Sequence, residues 1–195
     1  SPKGNFVSYI RDQNLYVMKI SSRIETPITK DGGDNIKYGM AEFVAQEEMS
    51  RMTGYWWAPD ESKVAFTKVD ESPVEQITRS EIYADSIKMI TQRYPSTGTN
   101  NVAIDLAVYD FDNGKTTWVE LGEERDIYIA RGKWMNDSQS FTYQWQSRNQ
   151  QKLELRAFDT ATGKQSVLVS EQSDTWLNLH KDLRFLKDGK HFIWA

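Results

Sequence analysis

The sequence predicts an all-β chain, part of a β-propeller with about three to four blades of four antiparallel strands, taken from a larger ring. Three observations carry this prediction. Helical periodicity is weak nearly everywhere along the 195 residues. Seven Trp, nine Tyr and eight Phe suit pleated, half-buried surfaces, where aromatic side chains pack best. Two strand–turn–strand units also alternate along the chain, and two hairpins per period make one blade.

The first unit begins at Ser1-Pro2-Lys3-Gly4-Asn5, with Phe6–Ile10 as its strand. It returns at Trp57–Phe66 around Pro59-Asp60-Glu61-Ser62, at Trp134–Tyr143 around Asn136-Asp137-Ser138-Gln139, and at Phe185–Trp194 around Lys187-Asp188-Gly189-Lys190. In each copy a polar turn precedes a β-rich stretch, which is a hairpin signal. The second unit follows each of the first three: Asn14–Ile20 leading to Pro27-Ile28-Thr29, Leu106–Lys115 with Thr117–Leu121, and Leu153–Asp159 with Ser166–Val169.

Matching turn positions Pro2, Pro59, Asn136 and Lys187 lie 57, 77 and 51 residues apart. A blade needs about 40–50 residues, so the long interval holds an insertion. Its site is legible at 69–99, where Asp70-Glu71-Ser72-Pro73 and Tyr94-Pro95-Ser96-Thr97-Gly98 interrupt the pattern. An arm of that length in a compact domain serves a function or an interface. Near 40–52 the β pattern breaks again, over Tyr38–Met52, where Ala, Met, Gln and Glu predict a short helical segment. The whole of 1–195 reads as a fragment of one propeller domain. Its start at Ser1 without Met fits a cut inside a larger protein.

Composition excludes several functions. Net charge is −4, with none of the basic patches that nucleic-acid binding requires. No run of eighteen apolar residues is present, so no membrane-spanning helix is expected. Cysteine is absent, which removes disulfides, thiolate metal sites and cysteine nucleophiles. Neither a Gly-x-Ser-x-Gly elbow, nor His-Glu-x-x-His, nor a phosphate-cradling loop occurs, and no metal or cofactor is expected. His180 and His191 are the only histidines; His191 reads as a surface strand residue and His180 as a linker residue or part of a binding rim, so the chain itself is expected to hold no catalytic residue. Glu47 and Glu48 lie side by side in the helical segment. Paired carboxylates there are either a solvated face or a clamp for an ammonium, whose three donors two carboxylates can satisfy without a metal.

The run Ala41-Glu42-Phe43-Val44-Ala45-Gln46-Glu47-Glu48-Met49, followed by Gly54-Tyr55-Trp56-Trp57-Ala58-Pro59-Asp60, resembles the double-Glu region of the dipeptidyl peptidase IV family. Downstream, Asp70-Glu71-Ser72-Pro73, Tyr83-Ala84-Asp85 and Arg93–Gly98 resemble that family's extended arm, and the similarity continues through Asp174-Thr175-Trp176 and Phe185–Gly189. The resemblance implies an eight-bladed propeller joined to an α/β-hydrolase domain with a Ser-Asp-His triad, a domain that lies outside this chain. Glu47 and Glu48 match the doublet that holds the free N-terminal ammonium of a peptide, so that a dipeptide ending in Pro or Ala is released. The arm matches a segment that helps form homodimers. Trp176 and Asn178 fall in a stretch that approaches the cavity in relatives, across an alignment gap, and are not assigned to the site. Met49–Thr53 departs from the animal enzymes and is shorter by about one residue, so contacts made there do not carry over. Similarity to bacterial members implies an extracytoplasmic, periplasmic location. A binding propeller without catalysis and a tripeptidyl peptidase are the alternatives.

Overall fold

The computed structural model describes residues 1–195 as a row of open antiparallel sheets, a partial propeller. The first sheet pairs β1 (Phe6–Arg11), β2 (Asn14–Lys19) and β3 (Ile24–Pro27) in that order. In the second, β4 (Ile36–Tyr38) and β5 (Tyr55–Trp57) lie along one edge of β6 (Lys63–Asp70), and α1 (Phe43–Met49) fills the gap between them. The arm follows as a separate hairpin, β7 (Gln76–Ile82) with β8 (Ile87–Arg93). The chain then rejoins β6 through β9 (Ala103–Asp110) and finishes the sheet with β10 (Lys115–Trp118). The third blade is the regular meander β11 (Ile127–Trp134), β12 (Ser140–Ser147), β13 (Lys152–Asp159) and β14 (Gln165–Gln172). A last pair, β15 (Leu183–Phe185) and β16 (Phe192–Trp194), repeats the opening of that blade.

The repeat seen in the sequence is a repeat of backbone conformation. Gly4, Glu61, Ser138 and Gly189 occupy the same place in their turns, and all four are left-handed, with φ of 77°, 69°, 58° and 67°. Each donates its backbone N–H to the carbonyl three residues back, at 3.2, 2.9, 3.2 and 3.2 Å. Before the last three, Asp60, Asp137 and Asp188 accept from the N–H two residues ahead, the Asx turn that suits Asp here. Left-handed backbone costs a side chain about 1 kcal/mol, and Glu61 and Ser138 offset it by reaching to the preceding blade. Glu61 accepts from the Lys3 backbone N–H (2.6 Å) and Asn5 Nδ2 (2.7 Å), while Ser138 Oγ accepts from the Asp60 backbone N–H (3.1 Å).

Blades pack face to face through apolar layers. Between the second and third, Leu106, Ile129, Phe141, Tyr143 and Phe158 are essentially buried, with Trp134 Nε1 donating to the Trp56 carbonyl at 2.8 Å. Gly132 lies against this layer, where a Cβ would overlap the Phe141 and Trp56 rings. Between the first and second, Trp57, Phe6 and Phe111 form a three-ring cluster, with ring centroids 5.4 Å (Phe6–Trp57), 5.2 Å (Trp57–Phe111) and 5.7 Å (Phe6–Phe111) apart.

Two boundaries differ from the sequence expectation. The helical segment is only seven residues of α-helix, because Met40 and Thr53 already bridge as extended backbone. The second sheet has five strands rather than four, since the excursion splits its inner strand in two. Within the expected 69–99 arm, β7 and β8 pair with each other and with no strand of the flanking sheet.

Candidate functional site

The helical excursion is closed by a buried ion pair. Glu42, the residue before α1, meets Arg51, just beyond its end, at 2.5 Å, with both side chains about 5% exposed or less. Arg51 also donates to the Thr53 carbonyl at 3.0 Å, and its backbone N–H returns to the Ala45 carbonyl at 3.0 Å. Ala45 and Met49 pack on Tyr128 and Ala130 of β11, which seats the helix on the third blade. Glu47 and Glu48 therefore stand in the last turn of a helix held at both ends. Both are exposed, and neither forms an ion pair within the chain. Two carboxylates at a helix C-terminus oppose the macrodipole, at a few tenths of a kcal/mol each. The fold gains nothing from them there.

Glu48 lines a cleft of about 550 Å³ between α1, β11, β12 and the segment after β14. Trp176 and Asn178 line it too, Trp176 with 64% of its surface exposed. Glu47 sits beside this cleft in sequence but is not part of its wall. A second cleft, of about 300 Å³, adjoins it and shares Ser50, Arg131 and Lys181 with it.

Arg131 and the polar face of β12 are what sequence reasoning missed. Along β12 the alternation of Phe141, Tyr143 and Trp145 with Thr142, Gln144 and Gln146 predicts one core face and one solvent face. The second face is instead buried, Gln144 to 2% and Gln146 to 1%. Their amides hold the 177–180 segment: Gln144 Nε2 donates to the His180 carbonyl (2.9 Å) and Gln146 Nε2 to that of Leu177 (3.2 Å). Opposite them, the β11 ladder slips by one residue, so that Ile129 pairs Trp145 but Arg131 pairs Gln144. Without that bulge Arg131 would share the face of Ile129 and enter the apolar layer; with it, Arg131 turns toward the clefts. Burial, and then neighbouring Arg51, hold its guanidinium below the ordinary arginine range.

Both histidines meet carboxylates. His180 Nε2 lies 2.8 Å from Glu171, and its ring packs on Trp194 at 4.5 Å, which joins β14 to β16. His191 meets Asp188 at 2.6 Å in an exposed turn. Neither ring bonds a hydroxyl.

Residues 1–195 match the family model described as the dipeptidyl peptidase IV (DPP IV) N-terminal region. Dipeptidyl aminopeptidase A of Saccharomyces cerevisiae is 24% identical over 193 residues, covering 94% of this chain and 20% of the yeast protein. A protein named "Probable dipeptidyl-aminopeptidase B" in Neosartorya fischeri is 31% identical, over 95% of this chain and 22% of its own length. The crystal structure of Porphyromonas gingivalis dipeptidyl peptidase 4 superposes on the whole chain with a TM-score of 0.89 at 23% identity, using 28% of that protein. The chain thus spans about a fifth of the length of these curated relatives.

Proposed function

The chain belongs to the dipeptidyl peptidase IV N-terminal-region family, and from that premise we propose that it is the substrate-anchoring part of a serine exopeptidase. It holds the free N-terminus of a peptide while a separate α/β-hydrolase domain cleaves after the second residue, Pro or Ala. The observation that carries this reading is the state of Glu47 and Glu48. They are two exposed carboxylates without ion-pair partners, on a helix anchored at both ends, with Glu48 at the wall of a cleft. An α-amino group titrates at about 7.7–8.0 and is therefore largely charged at neutral pH. Each charge-assisted hydrogen bond contributes about 1.5–3 kcal/mol, enough to fix which peptide bond meets the nucleophile. The chain contributes binding and register, and no bond chemistry.

The arm is read as a dimerisation element, on the strength of its exposed apolar residues Ile82, Ile87 and Met89. An exported, periplasmic location follows from the likeness to bacterial members and is tested by cell fractionation.

The deciding experiment uses the full-length protein with Gly-Pro- and N-acetyl-Gly-Pro-chromogenic substrates. Only the free-amine form should be cleaved, and Glu47→Ala or Glu48→Ala should lower its kcat/KM more than tenfold. Equal cleavage of both forms would show that the carboxylates do not read the amine. No cleavage of either would favour a binding propeller without catalysis, and release of tripeptides would reassign the cleavage length.

A further inference from the structure

Arg131 is a cation with no counterion. Its Nη1 is buried without a hydrogen-bond partner, and no carboxylate acts on its ionisation. Buried guanidinium groups are otherwise paired, so an unpaired one calls for a ligand. The surroundings sharpen what that ligand is. The smaller cleft is lined by Arg51, Arg131, Lys133 and Lys181 and by no acidic residue. Glu42 neutralises Arg51, and Lys133 keeps its charge but donates to the Leu183 carbonyl at 2.5 Å and does not line the larger cleft. Arg131 and Lys181 remain, and both also line the larger cleft that holds Glu48. Opposite charges thus face one continuous space. The β11 bulge, which costs the ladder a pairing, is what turns Arg131 into it.

Resting on the clamp reading above, we infer that Arg131, assisted by Lys181, is a specificity residue for the substrate's first side chain, and that this side chain is a carboxylate. If Glu47 and Glu48 hold the α-ammonium, the group that next enters the shared space is the side chain on the same α-carbon. A neutral side chain would leave Arg131 unpaired, a basic one would be repelled, and Asp or Glu would complete an ion pair of bidentate geometry. The doublet on its own would repel an acidic first residue. Arg131 reverses that preference.

The test compares kcat/KM of the full-length protein for Asp-Pro-, Asn-Pro- and Gly-Pro-4-nitroanilides at neutral pH. Asp and Asn have nearly the same shape, so their ratio reads charge alone. The ratio should favour Asp by about tenfold, the size of one charge-assisted bond. It should fall to one or below in Arg131→Gln and be partly restored in Arg131→Lys. A wild-type ratio at or below one overturns the inference, as does a ratio that survives in Arg131→Gln. Should Arg131→Gln fail to fold, the wild-type ratio must shrink as salt rises from low ionic strength to 1 M, and a salt-independent ratio overturns it equally. Cleavage of Gly-Pro- without an Asp preference sinks the subsite alone. No cleavage of any free-amine substrate sinks the peptidase reading and the subsite with it.

Discussion

Glu42 and Arg51 form the only ion pair in the chain whose two side chains are both buried, and they tie together the two ends of the helical excursion, nine positions apart, in the inner strand of the second blade. A pair this dry is costly to break from one side, because the surviving charge is left without a partner, at about 3–5 kcal/mol. Here that cost falls on the helix that carries Glu47 and Glu48. We expect Glu42→Gln or Arg51→Met in the full-length protein to lower kcat/KM for Gly-Pro- substrates about as much as Glu47→Ala does. The double variant Glu42→Leu/Arg51→Met, which leaves no orphan charge, should be more stable than either single variant in urea unfolding. Single variants with wild-type turnover would show that the pair does not position the doublet.

Gly132 is held to glycine by packing, since its Cβ would meet Phe141 and Trp56 in the layer between blades. Gly4 has open space around it but a φ of 77°. Gly132→Ala is therefore an overpacking change of about 1–3 kcal/mol or more, and Gly4→Ala a conformational one of about 1 kcal/mol. Thermal unfolding of the two variants should rank them in that order. The reverse order would mean that the Trp56 ring moves aside freely.

Glu61 carries a pH dependence. Burial opposes its ionisation, but hydrogen bonds from Ser1, Asn5 and the Lys3 backbone outweigh burial and hold its carboxyl down to about 2. The folded value lies below the ordinary 4.5, so the stabilisation is complete above about pH 4.5 and is lost as pH falls toward 2. Glu61→Gln should lower the melting temperature at pH 7 and have little effect near pH 2, so the two acid-unfolding curves converge. Parallel curves across that range would remove Glu61 as the contact joining the first two blades.

How much of this was legible in the sequence depended on whether local rules decided the outcome. The turns were legible, because Asp60, Asp137 and Asp188 announce an Asx geometry that neighbouring blades do not alter. The short helix was legible from Ala45, Gln46 and the Glu pair, yet its length was not: Met40 and Thr53 extend into the sheet regardless of propensity. The doublet was visible as adjacent carboxylates, but its isolation from other side chains needed coordinates. Arg131 was hidden for a specific reason. The reading of a strand assumes strict alternation, and a bulge at Ala130 reverses the faces after it. The burial of Gln144 and Gln146 could not be read from the strand, because alternation distinguishes polar from apolar but not water from another blade.

The arm makes the last prediction. β7 and β8 pair only with each other, and a lone two-stranded hairpin is marginal in water. This one is fastened at its base, where Arg93 donates to Asn35 (2.8 Å) and to the Val74 carbonyl (2.5 Å), and where Tyr94 packs on Phe43 of α1 at 5.0 Å between ring centroids. Its far end carries Ile82, Ile87 and Met89, each more than 60% exposed. Nothing in the chain covers those side chains, and a second copy presenting the same hairpin would do so with closed symmetry. Ile82→Lys with Met89→Glu should therefore make the full-length protein sediment as a monomer at concentrations where the wild type sediments as a dimer, with the circular dichroism of the folded chain unchanged. Because Phe43 ties the arm's base to the helix of Glu47 and Glu48, the monomer should also show a raised KM for free-amine substrates, by a few-fold. A monomeric wild type, or a variant that stays dimeric, would assign the exposed residues to some other contact.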